Sequence, residues 1–440
     1  MSIASQVTAA PIAPSATEDE VIYLLDKYDA KHLILFDGVE YAGLDAIGVK
    51  MLANGQMKVH RARPRVNGKP GMFDFVQTGS QDIDDKWTAS DDCVLVNPSE
   101  GIGLLLSTSG TTSKPKGVPV QHGSLVHNGQ IIGSNLRLTP DDVCYSVMPL
   151  FHIGGIAASI MCTMAMGSAV CCDGEGYSPD RMVDALALSN PQPTWYSSVP
   201  TIHNSTVSFI KSMAEISETL RDYGISEDGI WKKGHSLRFI RSGAAALLAP
   251  DAAALTSTYG NIPIIPTYSM SEQMPISHPP AGKTDMIITK PGSVGVPVAA
   301  SLAIVNPITF KVLPYGEEGE IAICGPTVID SYLNNKIADA KAYFALTLPV
   351  ELNSKFTYGR YFLTGDIGVL DKEGFLTLKG RNKEMIKKGG GESTCSIFDH
   401  IFNILIILIN CVCILLLFLF LNLFLSSRTN YSDGSRRASY

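Results

Sequence analysis

The sequence predicts an α/β protein: parallel sheets flanked by helices, an antiparallel β subdomain after them, and an apolar tail. Three observations predict it. Between Ile102 and Tyr268, short apolar runs alternate with stretches of helical period, and the runs end in Gly- or Ser-rich turns. From Gly292 the texture changes to short strands separated by turns such as Gly316-Glu317-Glu318-Gly319 and Asp371-Lys372-Glu373-Gly374. Near the end, residues 401–425 form a run of 25 residues without a charge.

Residues 1–17 lack the charged and apolar regions of a signal peptide and read as a frayed terminus. Glu18 to Ala30 reads as an amphipathic helix, His32 to Phe36 as a strand, Asp37-Gly38 as a turn and Tyr41 to Leu52 as a helix. The stretch 54–92 is polar, contains Gly and Pro and has no clear period, which predicts a linker or irregular join between a partial first subdomain (1–53) and a large domain (93–380). Within the large domain, Ile102 to Leu106, Tyr145 to Leu150, Ser168 to Cys172, Pro193 to Val199, Ser236 to Ser242 and Ile262 to Tyr268 read as strands. Gln121 to Asn135, Ile156 to Met166, Asp180 to Leu188 and the stretches after Thr201 and Pro250 read as helices. Over 292–380 the expected strands are Leu302 to Val305, Gly319 to Cys324, Tyr361 to Leu363, Val369 to Asp371 and Phe375 to Lys379.

The stretch with the most chemistry is Leu104 to Val118. An apolar run stops in seven residues drawn only from Ser, Thr and Gly (107–113), and a Pro115-Lys116-Gly117 turn follows. Small side chains, hydroxyls, open backbone N–H groups and lysines are the parts that wrap a polyphosphate. A flexible surface loop has the same composition, so both readings stand at this level. A Walker A loop is excluded, because Gly110 has no Gly-Lys-Ser/Thr at the required offset.

Thr108-Ser109-Gly110-Thr111-Thr112 with Pro115-Lys116-Gly117 resembles the phosphate loop of the adenylate-forming superfamily, which includes acyl-CoA synthetases and 4-coumarate–CoA ligase-like enzymes. Four further segments follow in the family's order. Ser242 to Leu247 resembles its adenine-pocket turn, which implies that Gly243, Ala244 and Ala245 border the base. Tyr268-Ser269-Met270-Ser271-Glu272 resembles its Y-G-M-T-E, which implies a nucleotide contact at Tyr268, an α-phosphate contact at Ser271 and a Mg²⁺ ligand at Glu272. Thr364-Gly365-Asp366, ending a strand, and Gly380-Arg381-Asn382-Lys383-Glu384-Met385-Ile386-Lys387 resemble the ribose segment and the hinge to a mobile lid. There Asp366 and Arg381 would contact the ribose, and Lys387 would lie on the lid side. His152, in Pro149-Leu150-Phe151-His152, matches the residue that borders the acyl and pantetheine tunnel; a buried structural histidine is the rival reading. Trp195 to His203 and Met161 to Gly167 would line the acyl pocket or simply fill the core.

The resemblance implies an AMP-forming acid–CoA ligase. It would use ATP, Mg²⁺ and CoA on a small carboxylic acid, with Thr111, Lys116, Glu272 and His152 as the catalytic group. The surroundings of Pro193 to Tyr196 and of Leu237 to Ser242 are nearest to the oxalyl-CoA synthetase-like and 4-coumarate ligase-like branch. The alternative is a catalytically impaired nucleotide-binding relative or membrane-tethered fragment, since the lid pattern stops at 381–392 and with it the lid lysine.

The bulk numbers agree with a globular enzyme. A formal charge of −7 with no basic stripe argues against nucleic acid as a partner. Nine cysteines lie scattered, mostly in apolar runs without a C-x-x-C, and read as reduced buried thiols. That usage predicts an intracellular protein, and the expected origin is cytoplasmic or peroxisomal, although Ala438-Ser439-Tyr440 is not a peroxisomal address. The tail, 393–440, has two readings. Residues 401–425 exceed the ~20 needed to span a bilayer, which predicts a single-pass membrane segment. Its Leu, Phe, Ile and Asn bias and its start in mid-motif instead predict translated non-coding sequence.

Overall fold

A computed structural model describes residues 8–36, 58–64, 73–77, 100–108, 115–172, 176–345, 359–381, 385–388 and 391–394. The chain divides into two compact units, one of Met1–Thr364 with Gly368–Leu378, the other of Gly365–Ile367 with Lys379–Tyr440.

The first unit opens with helix α1 (Glu18–Lys27), where Thr17 and Glu20 form a capping box and three acidic residues sit at the positive end of the dipole. Strand β1 (His32–Phe36) pairs in parallel with β2 (Lys58–Pro64), and β2 pairs antiparallel with β3 (Phe73–Gln77). Val21, Leu25, Leu33, Leu35 and Val59 bury one face of this small layer. The sequence read 54–92 as an irregular join; two strands lie within it. Strand β2 carries Lys58, Arg61 and Arg63 around a single large aliphatic residue, Val59, so its apolar period is too weak to register. The turn at Asp37-Gly38 and the helix over Tyr41 to Leu52 lie outside the described residues.

Next comes a hairpin. Strand β4 (Ile102–Thr108) pairs antiparallel with β5 (Lys116–Gln121), setting Leu104 opposite Val120, Leu106 opposite Val118 and Thr108 opposite Lys116. The four apolar residues enter one buried cluster. Lys116 and Gly117, read from the sequence as a turn, are strand residues instead, because Val118 and Val120 pull β5 into register.

Helix α2 (His122–Asn135) follows. Then β6 (Val143–Ser146), β7 (Ala169–Cys172), β8 (Trp195–Ser198), β9 (Phe239–Ser242) and β10 (Ile264–Pro266) build a parallel sheet in the order β10-β9-β8-β6-β7. Successive side chains take opposite faces, as the pleat requires. Cys144, Trp195 and Phe239 face the cluster with α2, whereas Tyr145, Tyr196 and Ile240 face α3 (Pro179–Leu188), α4 (Pro200–Met213) and α5 (Ala249–Thr258). The helical stretch 153–165 turns to π geometry over Ile156–Met161. The expected strands at 145–150 and 236–242 are shorter and shifted, because the Pro149 and Leu237 ends turn away.

Short strands β11 (Tyr268–Met270), β12 (Gln273–His278) and β13 (Val296–Pro297) form an antiparallel ribbon. A second antiparallel sheet holds β14 (Ser301–Val305), β15 (Glu318–Cys324), β16 (Tyr343–Ala345), β17 (Arg360–Leu370) and β18 (Leu376–Arg381), in the order β14-β15-β17-β16 with β18 beside β17. Thr364-Gly365-Asp366 does not end a strand. It lies inside β17, where Gly365 at φ +79° lets the chain deviate and continue.

In the second unit β19 (Met385–Lys388) pairs with β20 (Gly391–Thr394) as a hairpin. Among the described residues no helix is long and apolar enough to cross a membrane; the run 401–425 lies outside them. Cys144 and Cys162 are buried free thiols, and Cys171, Cys172 and Cys324 are also unpaired.

Candidate nucleotide site

Three of the expected segments meet at the C-terminal ends of the parallel strands, where ligands collect in open α/β sheets. Lys116 stands at the start of β5. Its Nζ donates to the Tyr332 hydroxyl at 3.1 Å and lies 4.1 Å from the centre of the same ring. That hydroxyl in turn donates to Glu272 Oε1 at 2.6 Å. Glu272 is buried in the turn between β11 and β12, with its backbone carbonyl held by Ile329 N at 3.1 Å. Burial, then the neighbouring Glu272 charge, pushes the Tyr332 phenol far above its usual value, so it keeps its proton.

The end of the loop before Lys116 is clamped. Tyr23 donates to the Pro115 carbonyl at 3.2 Å, and Lys27 donates to it as well. Gly117 leaves space that a Cβ would fill at 3.0 Å from Leu333 and 3.1 Å from the Tyr28 ring. Thr108, paired across the hairpin with Lys116, has a buried Oγ1 with no protein partner. Ser109, Gly110, Thr111 and Thr112 lie outside the described residues.

The turn after β9 sits on the same side. Gly243 N donates to Ser198 O at 3.0 Å, and a Cβ on Gly243 would lie 2.9 Å from Thr267 Cγ2, so the chain passes close to the strand that leads to Tyr268. Ala244 adopts φ +63°, sparsely populated for a residue with a Cβ, and Ala244 and Ala245 are exposed. Ser242 Oγ and Ser269 Oγ are buried without protein partners, Tyr268 is buried and Ser271 is half-buried. Buried oxygens without protein partners have bonding capacity left for a ligand or water.

His152 follows the turn after β6. It is exposed, with its ring tilted against Phe151 at 4.7 Å, and shielding by its neighbours lowers its pKa. The rival reading of a buried structural histidine does not hold for it. Trp195, Tyr196 and His203 are fully buried. In the second unit, Arg381 Nε and Asp366 Oδ1 form an ion pair at 3.3 Å. Lys387 lies in β19, opposite Glu392. Among the described residues no cluster of three metal-ligating side chains occurs; Mg²⁺ needs none, since it commonly takes one or two carboxylates and completes its shell with phosphate and water.

Tyr332 is the site residue that sequence reading missed. It lies in an irregular segment outside the motifs, one aromatic among short aliphatic and turn residues (Val328, Ile329, Leu333, Asn334).

This arrangement links Lys116 through Tyr332 to a buried carboxylate, Glu272, in the segment that also carries the buried, unpartnered Ser269 hydroxyl. The chain belongs to the AMP-binding enzyme family, whose description matches residues 3–333. A probable CoA ligase of Humulus lupulus is 31% identical over 394 residues, covering 88% of this chain and 65% of that protein. An oxalate–CoA ligase of Arabidopsis thaliana is 30% identical, covering 88% and 66%. ATP-bound MatB of Rhodopseudomonas palustris superposes with TM-score 0.63 at 24% identity, covering 88% of this chain and 66% of that chain. O-succinylbenzoate–CoA synthetase of Bacillus subtilis, in complex with ATP and magnesium, gives TM-score 0.63 at 22% identity and the same coverage. At such identity the solved structures show the fold alone. The chain spans about two thirds of the length of these relatives.

Proposed function

We propose that the chain binds ATP with Mg²⁺, joins the α-phosphate to a carboxylic acid with loss of pyrophosphate, and passes the resulting acyl group to the thiol of CoA. The observation that carries this reading is the Lys116–Tyr332–Glu272 chain of hydrogen bonds. It ties the residue after the phosphate loop to the carboxylate expected to hold Mg²⁺, beside a turn of small residues suited to a flat base.

Chemistry at phosphorus is mostly charge stabilisation and positioning. Lys116 and the hydroxyls of Thr108, Thr111 and Thr112 bear on phosphate oxygens, and Ser271 on the α-phosphate. Glu272 would hold Mg²⁺, which would supply positive charge against the leaving pyrophosphate. Gly243, Ala244 and Ala245 admit the adenine face, with Tyr268 alongside. Asp366, oriented by Arg381, presents a carboxylate able to accept both ribose hydroxyls. His152, its pKa lowered by the shielding of its neighbours, is the residue assigned to border the path of the acyl group or pantetheine. Lys387 is left as the lid-side contact.

The test is ATP–pyrophosphate exchange with Mg²⁺ over a panel headed by oxalate, because oxalate–CoA ligases of Arabidopsis thaliana and Saccharomyces cerevisiae are 30% and 34% identical. A panel containing 4-coumarate and aliphatic dicarboxylates covers the other relatives. Exchange with any one acid supports the reading. Tight ATP binding without exchange on any acid replaces it with a nucleotide-binding relative.

A further inference from the structure

Tyr332 belongs to a segment stitched at both ends to the two elements that carry the site. Ile329 N donates to Glu272 O at 3.1 Å, Leu333 N to Gly117 O at 2.9 Å, and Tyr332 N to Asp339 Oδ1 at 2.8 Å. The ring is 3% exposed, packs 6.3 Å from Phe362, and lies beneath the Lys116 ammonium. The hydroxyl has a single proton to give, and Lys116 can only donate. The direction is therefore fixed: Lys116 to Tyr332, Tyr332 to Glu272. A cation and a carboxylate are thereby bridged by one oxygen rather than paired directly.

We propose that Tyr332 is a positioning residue: its hydroxyl fixes the Lys116 ammonium and the Glu272 carboxylate at the separation that a phosphate with bound Mg²⁺ requires. This rests on the reading of the site as a Mg²⁺-ATP site. The carboxylate is buried, so the hydroxyl also selects which of its oxygens stays available. Without it, Glu272 loses the donor that orients it, and Lys116 is drawn toward the carboxylate. The consequence falls on the metal, not on the base or the acid.

The experiment measures ATP binding to the full chain by calorimetry, as a function of Mg²⁺ concentration and in EDTA, for the wild type, Tyr332→Phe and Phe362→Leu. Loss of one hydrogen bond to a charged group raises the Mg²⁺ concentration for half-maximal binding by about tenfold in Tyr332→Phe. Affinity in EDTA stays within about twofold, since the phosphate contacts of the loop remain. Phe362→Leu disturbs the same aromatic cluster and keeps the hydroxyl; it lowers the unfolding midpoint and leaves the Mg²⁺ requirement unchanged. An unchanged Mg²⁺ requirement in Tyr332→Phe overturns the proposal, and so does an equal shift in Phe362→Leu, which would make the effect one of packing. Absence of ATP binding by the wild type under both conditions is a different result: it removes the nucleotide reading itself, and this inference with it.

Discussion

The two ends of the parallel sheet use polar residues in opposite ways. At the N-terminal ends, Asp142 is buried and saturated. It accepts from Thr139 N at 2.9 Å, Thr194 Oγ1 at 2.7 Å, and Arg238 Nε and Nη2 at 2.9 Å each. At the C-terminal ends the hydroxyls of Ser242, Ser269 and Thr108 are buried without protein partners, and Ala244 holds a left-handed backbone. Between the two, Arg241 on β9 bonds Ser197 Oγ at 2.9 Å and Thr267 Oγ1 at 3.0 Å but leaves Nε unpaired. Burial lowers its pKa to about 10. A polar group whose bonds are all made serves the fold; one left open at the proposed site is available to a ligand. On the function proposed above, one end serves stability and the other binding, and substitutions can separate them.

The largest effect is expected at the satisfied end. Asp142→Ala strands the Arg238 guanidinium and two Thr donors. Breaking a buried pair by removing one partner costs 3–5 kcal/mol, and the half-exposed Arg238 places this case at about 3 kcal/mol. Equilibrium urea unfolding reads it, while ATP affinity per folded molecule stays at the wild-type value. Lys116→Ala is the mirror image. Losing one charge-assisted phosphate contact lowers ATP affinity on the order of tenfold to a hundredfold, with under ~1 kcal/mol lost from unfolding because Lys116 is only partly buried. If Asp142→Ala instead abolished binding in the folded fraction, or Lys116→Ala chiefly destabilised, the division between the two ends would be wrong.

The end proposed to bind nucleotide is written more locally in the sequence than the structural end. Its residues stand in short contiguous motifs: the hydroxyl loop before Lys116, the small residues after Ser242, and Glu272 after a strand. Local strand–turn chemistry writes such motifs into neighbouring positions. The Asp142–Arg238 pair joins residues 96 apart, and nothing local marks either one. Tyr332 failed to register for the same reason, since its partners are 216 and 60 positions away. Strands β2 and β3 escaped because tertiary pairing, not apolar period, makes them strands. Thr364-Gly365-Asp366 was misread because a glycine at φ +79° signals a turn locally, although the pairing of β17 continues beyond it.

A smaller effect lies where the ends communicate. In Gly243→Ala the new methyl meets Thr267 Cγ2 at 2.9 Å, and Thr267 Oγ1 both accepts from Arg241 and donates to Ser277 O at 3.1 Å. The strain amounts to about 1–2 kcal/mol, readable by urea unfolding. It should be accompanied by weaker ATP binding, because the same shift moves the turn that would face the base. Destabilisation with unchanged binding would make this turn a packing feature and place the adenine elsewhere.

The smallest effect is the most direct measure of strain at the binding end. Ala244 at φ +63° bears a Cβ where glycine is at ease, a penalty of about 1–2 kcal/mol. Glycine relieves it but gives back about 0.5–1 kcal/mol in unfolded-chain entropy. Ala244→Gly therefore stabilises by about 0.5–1 kcal/mol, and because the residue is exposed no lost packing offsets the gain. A turn held rigid for a ligand has the opposite stake, since the added freedom must be lost again on binding. ATP affinity should fall by about twofold to threefold as the protein becomes more stable. Opposite signs in thermal unfolding and ATP titration are the signature of strain maintained for binding. A gain in both would mean that the left-handed alanine is only a tolerated defect, and that the open hydroxyls beside it, not the backbone, distinguish this end of the sheet.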